Sequence, residues 1–317
     1  MIEINDNLLR LLVGTFAALC IGTLVRIVAL RNAKPELAKK RIGSLKVWWA
    51  LTILMSLATV FGRPGAAALL AVASGLGLRE YMKLIRTDQI GKVATAAAFG
   101  SVLVQYSLIA ADYSAAARFF LPVAALLLLS TARLLQGKTE GFIRTTAGVY
   151  WGVMLLVYCL SHAVLLFTLP SEHKPLVGMA GWFLFVVIVT EMDDIAQALV
   201  GRVIGRRRIT PAISPNKTWE GFAGGVVTSI VLSLLLAPWL TTFPSVMTAR
   251  GFLLSVAAGL LIVTGAFFGD INMSAIKRDV GVKDGSSILP GMGGIIDRVD
   301  SLTFTAPLFY YFLTFVL

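Results

Sequence analysis

Apolar residues gather into ten runs, near positions 8–30, 46–61, 64–78, 93–110, 119–135, 146–169, 176–190, 221–240, 251–269 and 301–317. Runs of this kind can cross a bilayer core of about 30 Å as helices. The pattern predicts an all-α, polytopic integral membrane protein with about ten transmembrane helices, the short third and fifth runs being the marginal ones. The first run is about 23 residues long and is preceded by Glu3 and Asp6. A signal peptide has a basic start and a shorter core, so this run reads as a span.

The polar positions between the runs predict an orientation. Of the 28 Lys and Arg residues, 22 lie in alternate loops, at 31–46, 79–92, 133–144, 191–220 and 270–300. Intervening loops hold only Arg63, Arg118, Lys174 and Arg250. Cytoplasmic loops collect Lys and Arg, so both termini are expected outside, with the five basic loops in the cytoplasm beneath the inner membrane.

Composition agrees with this picture, at 57% hydrophobic, 14% charged, mean hydropathy +0.83 and net charge +11. Soluble domains run nearer 25% charged. The basic excess is explained by topology and anionic headgroups, and no Arg/Lys patch with interleaved aromatics points to nucleic acid. Cys20 and Cys159 both fall in apolar runs, which excludes a disulfide framework. His162 and His173 are too few for a His-based zinc site. His162, inside a span, reads as a packing residue, Trp48, Trp49 and Trp151 as interfacial or packing aromatics, and Glu80 with Lys83 as a surface pair.

Acids do little for topology, yet nine of the 17 crowd into 191–300. The chain thus divides into N-terminal transmembrane helices, 1–190, and a C-terminal catalytic region, 191–317, whose site is expected at the cytoplasmic face. If the ninth span continues as a helix, Asp270, Ser274, Lys277 and Arg278 fall within about 100° of one another, giving one face a carboxylate, a hydroxyl and two cations. Asp279 falls opposite. Glycines 281, 285, 291, 293 and 294, with Pro290, then interrupt any regular helix and let backbone N–H groups approach an anion. Asp297 and Asp300 follow at i, i+3. Two carboxylates on one face repel unless a cation lies between them, and oxygen donors with few nitrogen or sulfur ligands suit Mg²⁺. Salt bridges through Arg298 are the structural alternative.

The stretch 191–221 adds Glu191, Asp194 and Gln197 at three-residue steps, then Arg206 to Arg208, then SPNKTWEG with Ser214, Lys217 and Thr218. In isolation Thr218 and Glu220 also read as a helix start. No Walker A loop is present. Carboxylates, cations and glycine-rich backbone at one membrane face fit phosphoryl or nucleotidyl transfer, in which positioning and charge neutralisation dominate.

The segment SAIKRDVGVKDGSSILPGMGGIIDRVDS resembles the signature of phosphatidate cytidylyltransferases: S-x-x-K-R-x4-K-D, a Pro-Gly-His-Gly-Gly turn, then D-R-x-D-S. SPNKTWEG resembles the same family's S-P-x-K-T-x-E-G element, and Asp194 lies where the family has an Asp ahead of a Gly-basic pair. The resemblance covers roughly 190–305. It implies transfer of the cytidylyl group of CTP to phosphatidic acid, giving CDP-diacylglycerol and pyrophosphate. By that likeness Asp270, Asp297 and Asp300 hold Mg²⁺, with a second monovalent or divalent cation as an option. Lys277, Arg278, Lys283 and Asp284 carry the catalytic roles; Asp194, Ser214, Lys217, Thr218, Ser274, Gly293, Gly294 and Arg298 bind substrates; a homodimer stays open.

Met292 departs from the family, standing where the turn usually has His. Two alternatives follow: a related CTP-dependent transfer to another lipid, or a catalytically weak, regulatory homologue. A transporter is disfavoured because the acids lie in loops and at span ends rather than at mid-membrane.

Overall fold

The computed structural model describes residues 5–31, 35–85, 91–137, 139–282, 286 and 288–317. Lys283 and Asp284 lie outside the described residues. Each predicted run falls on a helical rod: α1 Asp6–Ala29, α2 Pro35–Val60, α3 Gly62–Leu84, α4 Lys92–Ala110, α5 Ser114–Leu134, a rod of α6 Phe142–Val153 and α7 Leu160–Leu165 joined by a π-helical turn, α8 Ala180–Ile204, α9 Trp219–Leu240, α10 Ala249–Asp279 and α11 Ile296–Val316. Among the described residues eight rods are long and apolar enough to cross a membrane. The other two, α3 and α8, carry Glu80 and the Glu191–Asp194 acids respectively. The chain is an all-α multi-pass membrane protein.

Why the rods start where they do is local chemistry. Asn5, Thr218 and Thr248 accept the N–H groups of Leu8, Gly221 and Gly251 and so cap α1, α9 and α10, satisfying donors that the first helical turn leaves free. Two adjustments to the sequence reading emerge. Run 176–190 is only the first part of α8, which continues to Ile204, so the acids expected in a loop lie on a helix. SPNKT, ahead of the helix start at Thr218, forms a strand: Ser214–Thr218 (β2) pairs antiparallel with Arg208–Thr210 (β1).

The buried core is one contiguous cluster running through α3 to α11 and reaching Leu8 of α1, with Trp182, Phe183, Phe185 and Phe309 fully enclosed. Phe185 stacks on Phe309 at 5.4 Å between ring centroids. By contrast α1 turns Ile21, Leu24, Val25 and Val28 outward, as a lipid-facing helix does. α9 and α10 pack on α8 and α11, which brings three separated stretches of sequence to one end of the bundle.

Candidate active site

That end encloses a cavity of about 1310 Å³. α8 contributes Glu191, Asp194, Ile195, Gln197, Ala198, Gly201 and Arg202, the hairpin adds Ser214, Asn216 and Lys217, and α10 adds Asp270 and Lys277. Leu289 to Gly293 and the start of α11, with Asp297, Arg298 and Asp300, close the wall. Of the sequence-predicted residues, Thr218, Ser274, Arg278 and Gly294 do not line it. Thr218 is spent on capping α9. Ser274 donates to Asp270 Oδ1 at 3.3 Å. Arg278 donates to the carbonyls of Ile213 and Val282, tying the hairpin to the end of α10.

The hairpin is held in place by Glu220, whose Oε2 accepts the N–H groups of Arg206 and Arg207 at 2.9 and 3.2 Å. Its far strand projects Lys217, whose Nζ lies 2.8 Å from Asp270 Oδ2 and 3.1 Å from Gln197 Oε1. Burial alone would lower the Lys217 pKa, but the carboxylates of Asp270 and Asp194 outweigh it and hold the ammonium charged beyond its ordinary range. Lys277 Nζ lies 2.8 Å from Asp297 Oδ1. The cation beside Asp297 is thus Lys277 rather than Arg298, whose Nε is buried without a hydrogen-bond partner.

Among the described residues no group of three or more His, Cys, Asp or Glu side chains is drawn together as a metal site. Asp270 and Asp297 each face a lysine, and Asp300 lines the cavity beside them. The donor chemistry still suits a hard divalent cation, because the acids offer only oxygen. Asp194 Oδ1 is buried with no hydrogen-bond partner, and the repulsive fields of Asp300 and Asp270 on this carboxylate are offset in part by Lys217. An orphaned carboxylate oxygen beside two further carboxylates is a costly arrangement that a cation relieves.

A sequence profile of the cytidylyltransferase family matches residues 39–316. The chain belongs to that family. Similar proteins include YnbB of Escherichia coli strain K12, itself uncharacterised, at 37% identity over 95% of this chain and 96% of that protein. The phosphatidate cytidylyltransferase of Synechocystis is 34% identical over 79% of this chain and 89% of its own. That of Bacillus subtilis is 32% identical over 75% and 86%. As a cytidylyltransferase the chain is a nucleotidyl-transferring enzyme, and the cavity gathers most of the signature residues that the described portion contains.

Four further residues of this cytidylyltransferase belong to the site or its support without any signal in the sequence. Arg26 of α1 and Ser44 and Trp48 of α2 line the cavity. Glu80 is not on the surface: it is 3% exposed, and its Oε2 accepts the N–H groups of Ile295 and Ile296 at 2.8 and 3.3 Å. α11 has no side-chain cap from its own N-cap residue, so Glu80 caps the helix that carries Asp297, Arg298 and Asp300.

Proposed function

We propose that this enzyme transfers the cytidylyl group of CTP to phosphatidic acid, releasing pyrophosphate and forming CDP-diacylglycerol, at a cavity on the cytoplasmic side of the bacterial inner membrane. The observation that carries the reading is convergence: Asp194, Lys217, Asp270, Lys277, Asp297 and Asp300 come from three stretches of sequence and meet on one cavity. Orientation follows from the basic loops, since 22 of 28 Lys and Arg lie on the side that includes 191–220 and 270–300.

In this reading an oxygen of the lipid phosphate attacks the α-phosphorus of CTP, and the bond from that phosphorus to the bridging oxygen of the β-phosphate breaks. A phosphomonoester is already ionised at neutral pH, so little base catalysis is needed. Lys217, Lys277 and Arg298 offset the charge of two anionic reactants and of the departing pyrophosphate. Asp270, Asp297 and Asp300, with Asp194, are the donors proposed for Mg²⁺, which would supply further charge neutralisation there. Asp297 holds Lys277 at the cavity wall.

Detergent-solubilised protein given CTP, Mg²⁺ and phosphatidic acid should form CDP-diacylglycerol and pyrophosphate in equal amounts. No liponucleotide under conditions where a phosphatidate cytidylyltransferase is active defeats the assignment of this acceptor. Met292 lies in the cavity wall where the family turn has His, so the assay includes other lipid phosphates and lipid alcohols. Release of CDP instead of pyrophosphate identifies a kinase.

A further inference from the structure

Asp193 stands one residue before the cavity-lining Asp194 and faces the other way, into the contact between α8 and α9, where it is fully buried. Its Oδ2 accepts from Gln197 Nε2 at 2.7 Å, and its Oδ1 accepts from Ser229 Oγ at 3.2 Å. Gln197 Oε1 accepts in turn from Lys217 Nζ at 3.1 Å. Among the described residues Asp193 forms no ion pair; its link to a cation runs through the Gln197 amide.

A glutamine amide has a donor end and an acceptor end, whereas an ionised carboxylate can only accept. Asp193 therefore dictates the orientation of Gln197. The amide NH₂ must face Asp193, which leaves the amide oxygen facing Lys217. Reversed, the amide would set its NH₂ against the ammonium and its oxygen against the carboxylate, and the ammonium would lose its second acceptor. The contact is available only because position 225 of α9 is glycine. A Cβ there would lie 2.4 Å from Asp193 Oδ1 and 2.6 Å from Gln197 Cγ. Lys217 Nζ is thereby fixed between Gln197 and Asp270, with one of its three N–H groups left over.

We propose that Asp193 and Gln197 are positioning residues which, through the oriented amide, hold the Lys217 ammonium where it meets a substrate phosphate. The proposal rests on the cytidylyltransferase reading of the cavity.

Two variants test it. Gln197→Met keeps the volume and removes the acceptor. The second exchanges the two functional groups by combining Asp193→Asn with Gln197→Glu: the amide introduced at position 193 donates to the carboxylate introduced at position 197, whose other oxygen again faces Lys217. Two measurements are made on the intact, detergent-solubilised chain: turnover per folded enzyme, and the rate at which an amine-acetylating reagent labels Lys217, read by peptide mass spectrometry. Gln197→Met should cut turnover about ten- to a hundredfold, as expected for losing a hydrogen bond to a charged group, and Lys217 should label severalfold faster. The exchange variant should restore both readouts to near the parent values, whereas Gln197→Glu alone, with two carboxylates in contact, should not. Parent-like turnover and labelling in Gln197→Met overturns the proposal, as does an exchange variant no better than Gln197→Met. If the parent makes no liponucleotide while labelling responds as described, the positioning stands and the assigned reaction fails.

Discussion

The carboxylate of Glu80 on α3 accepts the backbone N–H of Ile295 at 2.8 Å, joining residues 215 positions apart at the start of α11. Through this contact an N-terminal helix sets the entry angle of the helix that bears three cavity residues. Glu80→Ala leaves the N–H groups of Ile295 and Ile296 without their acceptor, at a cost of about 1–3 kcal/mol. We expect a lower unfolding midpoint and lower turnover. Glu80→Gln, whose amide oxygen still accepts, should retain most of both. A Glu80→Ala variant that melts with the parent removes the capping role.

The same carboxylate explains why residue 294 is glycine. A Cβ at Gly294 would lie 1.8 Å from Glu80 Oε1, so Gly294→Ala must displace the cap. Its stability loss should match or exceed that of Glu80→Ala. Because both changes disrupt one contact, the double variant should lose less than the sum of the singles. Additive losses in thermal unfolding would show that the two positions act independently.

Periodicity and signature spacing make the spans and most of the C-terminal site legible in the sequence, because both are properties of contiguous stretches. Glu80 illustrates what they miss. On its own helix it pairs plausibly with Lys83 at i, i+3, and nothing nearby reveals a partner 215 residues away. Asp193 is hidden for a related reason. It adjoins Asp194, and only the packing of α9 through Gly225 decides that one acid faces the cavity and its neighbour faces Gln197. Trp48 likewise reads as an interfacial aromatic until α2 is seen to share a cavity wall with the 289–293 turn. Conversely, Thr218 shows both of its sequence meanings weighed by structure, since its hydroxyl is used as a helix cap.

Removal of divalent metal should stop turnover without unfolding the protein. The motivation is the orphaned Asp194 oxygen beside Asp300 and Asp270. A chelator is expected to abolish liponucleotide formation and added Mg²⁺ to restore it. Asp300→Asn and Asp194→Asn should each lower turnover by about a hundredfold or more, the scale seen when one preorganised electrostatic group is lost. Full activity in chelator, or in both variants, rules out this donor set.

Trp48 and Arg26 bring the first two helices into the cavity wall. The two helices are also tied to each other, as Trp49 Nε1 donates to Thr23 Oγ1 at 3.1 Å. An indole in a cavity wall supplies contact area rather than charge, so Trp48→Ala should weaken substrate binding more than it slows chemistry. Steady-state kinetics should show a raised KM for CTP or for the lipid with kcat largely kept. A fall in kcat at unchanged KM would contradict this.

Met292 sits at the tip of a turn whose form does not depend on its side chain. Its N–H donates to the Leu289 carbonyl at 3.0 Å, and the Leu289 N–H donates to Gly293 O at 2.9 Å. Gly291 and Gly293 take positive φ of 75° and 89° on either side, a conformation that glycine adopts without strain. Met292 lines the cavity, and a thioether offers only a weak acceptor. Met292→Ala should therefore leave the unfolding midpoint unchanged and turnover within about threefold, a change under about 1 kcal/mol. Met292→His adds an N–H donor to a wall that faces anionic substrates, and should lower KM for a phosphate-bearing substrate without altering stability. Loss of turnover in a normally folded Met292→Ala protein would mean that the methionine side chain itself contacts the reacting groups, and that the turn matters through more than its glycines.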